Sequence, residues 1–271
     1  MRRRQRSAPN ADIDWVVGGR NKSNMASSFS RALTLARYNW LLYVCATVVA
    51  IVGISLCLAA TSTMIRLVGG VAAFVAVWYS IASFLAFHAM FDRSSLLRGT
   101  WLPELLVSAP ERWVQVSVCL EETTLPMKEL FPATEGVLLD IFSPSVMTEP
   151  AVTRARSASQ KSHAVAVTPA SLGVPDKWAH ATVITLAAHE VRNAAMRESL
   201  FCELSRITAT NGRIVVVEHL RNFASFLAFG PGFLHFLPRR EWIRLSTHTG
   251  MRLISESSIT PFVNVFVFKP A

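Results

Sequence analysis

The segment from Asn211 to Pro238, NGRIVVVEHLRNFASFLAFGPGFLHFLP, decides how the chain is organised. Its opening pair Asn211-Gly212 is a turn and helix-stop signal. The run Ile214-Val215-Val216-Val217 is β-branched and apolar throughout, as a strand buried on both faces requires. It closes on the polar pair Glu218-His219, and a loop of Phe, Leu and Gly follows that is too apolar to rest in water. A helix, a glycine turn, a buried strand and a mouth loop make up the repeating unit of an open α/β sheet. Ligands of such sheets bind at the carboxyl ends of the strands, which is where Glu218 and His219 stand.

Outward from this segment, composition sets the limits. The 271 residues allow one α/β domain and an appendage. Hydrophobic residues make up 51% of the chain and charged residues only 17%, leaner in charge than an ordinary soluble domain. The net charge of +9 is uneven, since Arg2, Arg3, Arg4, Arg6, Arg20, Lys22, Arg31 and Arg37 precede the first long apolar run against only Asp12 and Asp14. This flank, polar and rich in Ser and Asn, reads as a poorly ordered tail over about the first 35 residues. Its arginines and serines also allow a mitochondrial presequence, against which Asp12 and Asp14 weigh. Nucleic-acid binding is not expected, because the basic cluster abuts an apolar span. Cys45, Cys57, Cys119 and Cys202 lie in apolar settings without CxxC spacing, which argues for reduced thiols and against a disulfide frame or a zinc site. No metal ligand is expected.

Trp40 to Ala60 and Leu67 to Phe91 carry no charged residue. Each reaches the roughly 20 apolar residues that a bilayer-crossing helix needs. The short connection Thr61 to Arg66 predicts a two-helix transmembrane hairpin, with Trp40 and Tyr43 at an interface. Arg66 alone faces the basic N-terminal flank across the first span, so the positive-inside rule places both termini and the C-terminal domain in the cytoplasm. The expected divisions are a basic tail over 1–37, the hairpin over 38–91, a connector over 92–112 and an α/β domain over 113–271.

Within that domain strand-like and helical runs alternate, the pattern of a parallel sheet covered by helices. The expected strands are Trp113 to Leu120, Gly136 to Phe142, His163 to Val167, Ala181 to Ala187 and the opening segment, then Arg252 to Ser257 and Phe262 to Phe268 as a closing hairpin. Helices are expected around Leu125 to Leu130, from Pro150 with Thr148 as cap, from His189 to Ile207, and from Arg239 to Thr249 with Gly250 as its stop.

This layout, with GRIVVVE as its fifth strand and GVLLD as its second, resembles the class I S-adenosylmethionine (SAM)-dependent methyltransferases over 113–271. The resemblance implies a Rossmann-like seven-stranded methyltransferase sheet, SAM as cofactor, and Asp140 at the end of the second strand as hydrogen-bond acceptor for the ribose hydroxyls. The family's glycine-rich loop after the first strand is replaced here by Val118-Cys119-Leu120-Glu121-Glu122-Thr123-Thr124. Glu121 would then meet the methionine ammonium, or serve only as a helix N-terminal acid. After the third strand the family often carries an acid near adenine, and here Thr168 offers a hydroxyl.

His189, after the fourth strand, and His219 are candidate bases toward a phenol or hydroxyl. The family's asparagine-proline-proline-aromatic box is absent, which disfavours DNA-adenine and protein-glutamine substrates. Glu218 with Phe226, Phe229 and Phe233 forms the expected substrate pocket, and an apolar loop of this size marks a binding surface or a membrane contact. The implied function is methyl transfer to a small lipophilic acceptor, a quinone precursor or lipid, reached at the bilayer surface. A catalytically inactive methyltransferase-fold protein, acting as a membrane-tethered binding or assembly module, is the alternative that the missing glycine loop leaves open. A short-chain dehydrogenase would need a Tyr-x-x-x-Lys pair, and none is present.

Overall fold

The computed structural model describes residues 29–118, 124–158 and 164–271. Helices α1 (Ser30–Tyr38), α2 (Trp40–Ala59) and α3 (Thr63–Phe87) come first, and a π turn over His88–Arg93 extends α3. Both α2 and the extended α3 are long and apolar enough to cross a membrane. They pack through small residues, among them Ala46 and Gly53 on α2 and Gly69, Ala73 and Ala76 on α3. A Cβ at Gly53 would lie 2.5 Å from the Gly69 carbonyl oxygen, and one at Gly69 would lie 2.6 Å from the Gly53 oxygen. The large apolar side chains point outward instead, with Leu58 77% and Phe74 66% exposed. Small residues inward and large ones outward is how helices pair when lipid surrounds them.

The N-terminal flank departs from the expected poorly ordered tail. Residues 1–28 lie outside the described residues, but Ser30–Tyr38 is helical. The cause is Asp92 at the far end of the hairpin. Its carboxylate accepts from the amides of Arg31 at 3.1 Å and Ala32 at 3.2 Å and also pairs with His88 at 3.0 Å. Free amides at a helix start are thereby satisfied from a distant element.

The α/β domain is a seven-stranded sheet in the order β3-β2-β1-β4-β5-β7-β6. Its strands are β1 (Arg112–Ser117), β2 (Glu135–Asp140), β3 (Val165–Ala166), β4 (Ala179–Thr185), β5 (Thr208–His219), β6 (Met251–Thr260) and β7 (Val263–Pro270). The first five run parallel, and β7 is antiparallel to both β5 and β6, so the expected closing hairpin is present. Short helices α4 (Leu102–Leu105) and α5 (Met127–Leu130) precede and follow β1, and α6 (Pro150–Ala158), α7 (Ala194–Ile207), α8 (Phe223–Phe229) and α9 (Arg239–His248) complete the set. Gly250, at φ +71°, stops α9 as the sequence suggests.

Two local expectations are corrected. Asn211-Gly212 does not separate α7 from β5. The strand starts at Thr208, and its register on β4 jumps from Ala179–Thr208 to Ala181–Arg213. The pair therefore lies in a bulge, and Thr208 is fixed by hydrogen bonds to Thr182 at 2.7 Å and to the Leu204 carbonyl at 2.6 Å. Nor does a helix begin at His189. A 3₁₀ turn over Ala188–Glu190 comes first, and α7 starts at Ala194, where Asn193 caps it by accepting from the Met196 amide at 3.0 Å.

Strand alternation divides the core into two layers. Val114, Val116, Leu139, Ile184, Ile214, Val216, Phe266 and Phe268 face α7 and α9, against Phe201, Leu204 and Trp242. Trp113, Val183, Val215, Val217, Val265 and Val267 face the other way. There they meet Met90, Phe91, Leu96, Leu97 and Leu102, which are the end of the long apolar helix and the connector behind it. Since the Gly53 and Gly69 backbones touch, Gly53→Val should drive the hairpin apart. The expected cost is about 1–3 kcal/mol, as for overpacked cores, read as a lower thermal midpoint of the detergent-solubilised protein. Gly70→Val, at a glycine whose added Cβ would meet only Cys57 Sγ at 3.5 Å, should be milder.

Candidate active site

The carboxyl ends of β4 and β5 hold a buried polar cluster. Glu218, the penultimate residue of β5, is fully buried, and such a carboxylate requires compensating partners. It accepts from the backbone amides of Ala187 at 3.1 Å and Ala188 at 2.7 Å, and from His189 Nδ1 at 2.6 Å. Those contacts bend the chain after β4 into the 3₁₀ turn and fix the imidazole of His189. The other ring nitrogen, Nε2, lies 3.4 Å from Glu190 Oε1. Burial disfavours a charged ring at His189, yet the flanking carboxylates of Glu218 and Glu190 outweigh it and hold its pKa up at about 10. Burial opposes ionisation of Glu190 as well, and the hydrogen bond and charge of His189 still pull its pKa below the ordinary carboxylate value. Burial, joined by the neighbouring His189 charge, pushes His219 down to about 3, so this second imidazole is neutral.

His219 meets His189 edge-on at 5.6 Å between centroids and stacks on Phe236 at 4.6 Å. Its Nδ1 and Glu190 Oε2 are both buried without a partner among the described residues. Each such atom costs about 1–3 kcal/mol of lost hydration.

The apolar loop after β5 closes over this cluster. Arg221 ties it back through the carbonyls of Phe236 and Leu234, both at 2.7 Å. Helix α8 and a 3₁₀ turn over Gly230–His235 form its body, and His235 Nε2 reaches Glu190 Oε1 at 3.3 Å. The loop also docks on the long helix. The Trp78 indole donates to the Leu227 carbonyl at 3.0 Å, and Phe87 meets Phe229 at 5.5 Å.

The structure thus brings Glu218, His189 and His219 together. Of the aromatics expected to line a pocket, Phe229 is buried among Phe87, Phe236 and Phe262, while Phe226 is 47% exposed and contacts Phe233 at 5.3 Å. The aromatic that touches both histidines is Phe236. Sequence reasoning assigned no role to Glu190 or His235. The pairing of Glu190 with His235 spans 45 positions, and only the folded loop brings the two together.

Two strands from β4 in the sheet, Asp140 ends β2. Arg156 of α6 grips it bidentately, at 2.8 Å and 3.2 Å, and also donates to the Val118 carbonyl at 2.5 Å. Asp140 Oδ1 further accepts from the Phe142 amide at 3.0 Å, which leaves one acceptor site, on Oδ2, among the described residues. Thr168 is exposed in the tight turn after β3. Glu121 lies outside the described residues.

No protein-family profile matches the chain, and no curated protein matches it. Solved structures do. A SAM-dependent methyltransferase from Aquifex aeolicus aligns at 12% identity and TM-score 0.49, over 71% of this chain and 98% of that one. The mitomycin 7-O-methyltransferase MmcR aligns at 16% identity and TM-score 0.47, over 91% and 74%. The Burkholderia thailandensis 1,6-didemethyltoxoflavin-N1-methyltransferase aligns at 10% and 0.45, over 73% and 85%. Parallel strands in the order 3-2-1-4-5, closed by an antiparallel seventh strand between the fifth and sixth, decide the architecture. The chain has the class I methyltransferase fold. The Glu218–His189 pair lies buried at the carboxyl ends of β4 and β5 of this fold.

Because Glu218 satisfies two amides and an imidazole, Glu218→Ala should destabilise the domain by about 3–5 kcal/mol, the cost of breaking a buried pair. Glu218→Gln, which keeps a carbonyl for the amides, should cost less. Denaturant midpoints of the two variants provide the measurement.

Proposed function

We propose that this protein is a SAM-dependent methyltransferase, anchored by its helical hairpin in a bilayer and acting on a small lipophilic acceptor. The observation that carries the reading is the apolar lid, which docks on the long apolar helix through Trp78 and Phe87 and covers a buried polar cluster at the strand ends. An acceptor partitioned into lipid would find the exposed Phe223, Phe226, Leu227 and Leu234 on its way to the histidines. The exposed apolar surface of α2 and α3 is far larger than water tolerates and suits hydrocarbon. With both helices spanning, the basic N-terminal flank places the domain on the cytoplasmic side.

The open acceptor site on Asp140 Oδ2 supports SAM as the cofactor. Asp140 would hold the ribose through its remaining acceptor site, with Thr168 near the adenine end and Glu121 toward the methionine ammonium. When bound, SAM supplies a methyl group already activated by its sulfonium, so the protein has only to align and deprotonate. The unpartnered Nδ1 of His219 can accept a hydrogen bond from an acceptor hydroxyl. Glu218 keeps His189 in one orientation beside it, and Phe236 and the lid exclude water.

A second reading rests on the Asp140–Arg156 fork. A guanidinium that fills the bidentate face of the ribose-binding carboxylate suits a fold whose cofactor site is closed, and hence an inactive binding module.

Isothermal titration of the detergent-solubilised chain with SAM and S-adenosylhomocysteine separates the two readings. Binding in the wild type, weakened by about 1.5–3 kcal/mol in Asp140→Ala, is the expected result. Absence of binding in the wild type, with binding gained in Arg156→Ala, would establish the closed site instead. Reporter fusions at Arg37 and Ala271 are expected to read from the cytoplasmic side and a fusion at Arg66 from the opposite one. An Ala271 reporter on the outer side would refute the topology.

A further inference from the structure

The lid histidine and the turn after β4 point to a function that methyl transfer does not require. His189 Nε2 lies 3.4 Å from Glu190 Oε1, and His235 Nε2 lies 3.3 Å from the same oxygen. Ligand atoms of the three residues all fall within 4.8 Å of one another. Donors about 2.1 Å from one ion at tetrahedral angles sit about 3.4 Å apart, so the spacing of both imidazoles from Glu190 is already that of a coordination shell.

The surroundings supply what such a shell needs. Each histidine turns its other nitrogen toward a carboxylate: His189 Nδ1 to Glu218 Oε2 at 2.6 Å, and His235 Nδ1 to Glu149 Oε2 at 3.6 Å. Glu218 fixes the ring of His189 as second-layer carboxylates of metal-bound histidines do, and Nε2 releases its proton to solvent when an ion binds. At His235 the Nδ1 now accepts from Arg192, with Glu149 behind it. Glu190 also has a coordination atom to spare. The residue is 5% exposed, yet its Oε2 is buried without a partner among the described residues.

We propose that His189 Nε2, His235 Nε2 and the Glu190 carboxylate bind one divalent first-row transition ion, with zinc as the type. Two imidazoles and one carboxylate leave a position for an oxygen ligand, water or the hydroxyl of an acceptor. The nitrogen-rich set disfavours magnesium and calcium, which take oxygen ligands. Arg192 now rests against His235 and lies 3.9 Å from Glu149. On metal binding it moves onto Glu149, and His235 carries its proton on Nδ1. The ion joins the turn after β4 to the lid, so occupancy also latches the lid.

The test uses the full chain in detergent, purified without a polyhistidine tag, stripped with chelator and titrated with Zn²⁺ and Co²⁺. Expected results are saturation at about one ion per chain, cobalt d–d absorption of a four- or five-coordinate site, and a raised thermal midpoint. His235→Ala and Glu190→Gln should each weaken binding by at least about 10–100-fold, a loss known even for outer-layer partners. His248→Ala, at an exposed histidine on α9, should leave it unchanged. His235 is on the lid and outside the strand core, so its variant, checked by circular dichroism, keeps the test sound if Glu190→Gln fails to fold. Absence of stoichiometric binding in the wild type, or equal affinity in wild type and His235→Ala, would overturn the site.

Discussion

An open sheet must cover two apolar faces, and this protein covers the second with the end of its long apolar helix. Met90, Phe91, Leu96, Leu97 and Leu102 lie against Trp113, Val183, Val215 and Val265, and none of the five is more than 8% exposed. Burying side chains of this size is worth about 1.5–3 kcal/mol each, an amount that a domain of marginal net stability could not forgo. The hairpin is therefore part of the core. Asp92 extends the same logic one step back, since the carboxylate that ends the long helix also starts α1.

A second constraint lies at the strand ends. Glu218 brings a negative charge into a fully buried position, and its two amide donors and His189 are what make that tolerable. Satisfying it shapes the backbone, because the amides of Ala187 and Ala188 can reach Glu218 only if the chain turns sharply after β4. That turn displaces the start of α7 to Ala194 and sets Glu190 beside His189, facing the lid. The geometry of the cluster thus follows from one residue at the end of β5.

This explains which parts of the structure the sequence made legible. Ile214–Val217 and the two charge-free spans declare themselves by local pattern, and Gly250 by its freedom at positive φ, because in each case neighbours in sequence carry the information. The seven strands and their closing hairpin were readable for the same reason. The bulge at Asn211-Gly212 was not, since it depends on Thr208 pairing with Thr182 across the sheet. Helix α1 was hidden because its cap is Asp92, about sixty positions away. Glu218, His189, His219 and Asp140 could be picked out as polar residues at strand ends. Their partners Glu190, His235 and Arg156 could not, because only the closed lid and the packed α6 bring them into contact.

The lid connects these two constraints. It rests on the long helix through the Trp78–Leu227 hydrogen bond and the Phe87–Phe229 ring contact, while its far end brings His235 to Glu190. Gly230, at φ +51°, forms the corner between α8 and the 3₁₀ turn, and its Cα side faces the Tyr79 ring closely enough that an added Cβ would touch it at 3.5 Å. A side chain there would face both an unfavourable backbone region and the helix wall. Lifting the lid must break the contacts on the long helix and those on Glu190 together, because one short segment makes both. Access to the histidines is in this way tied to the long apolar helix on which the lid rests.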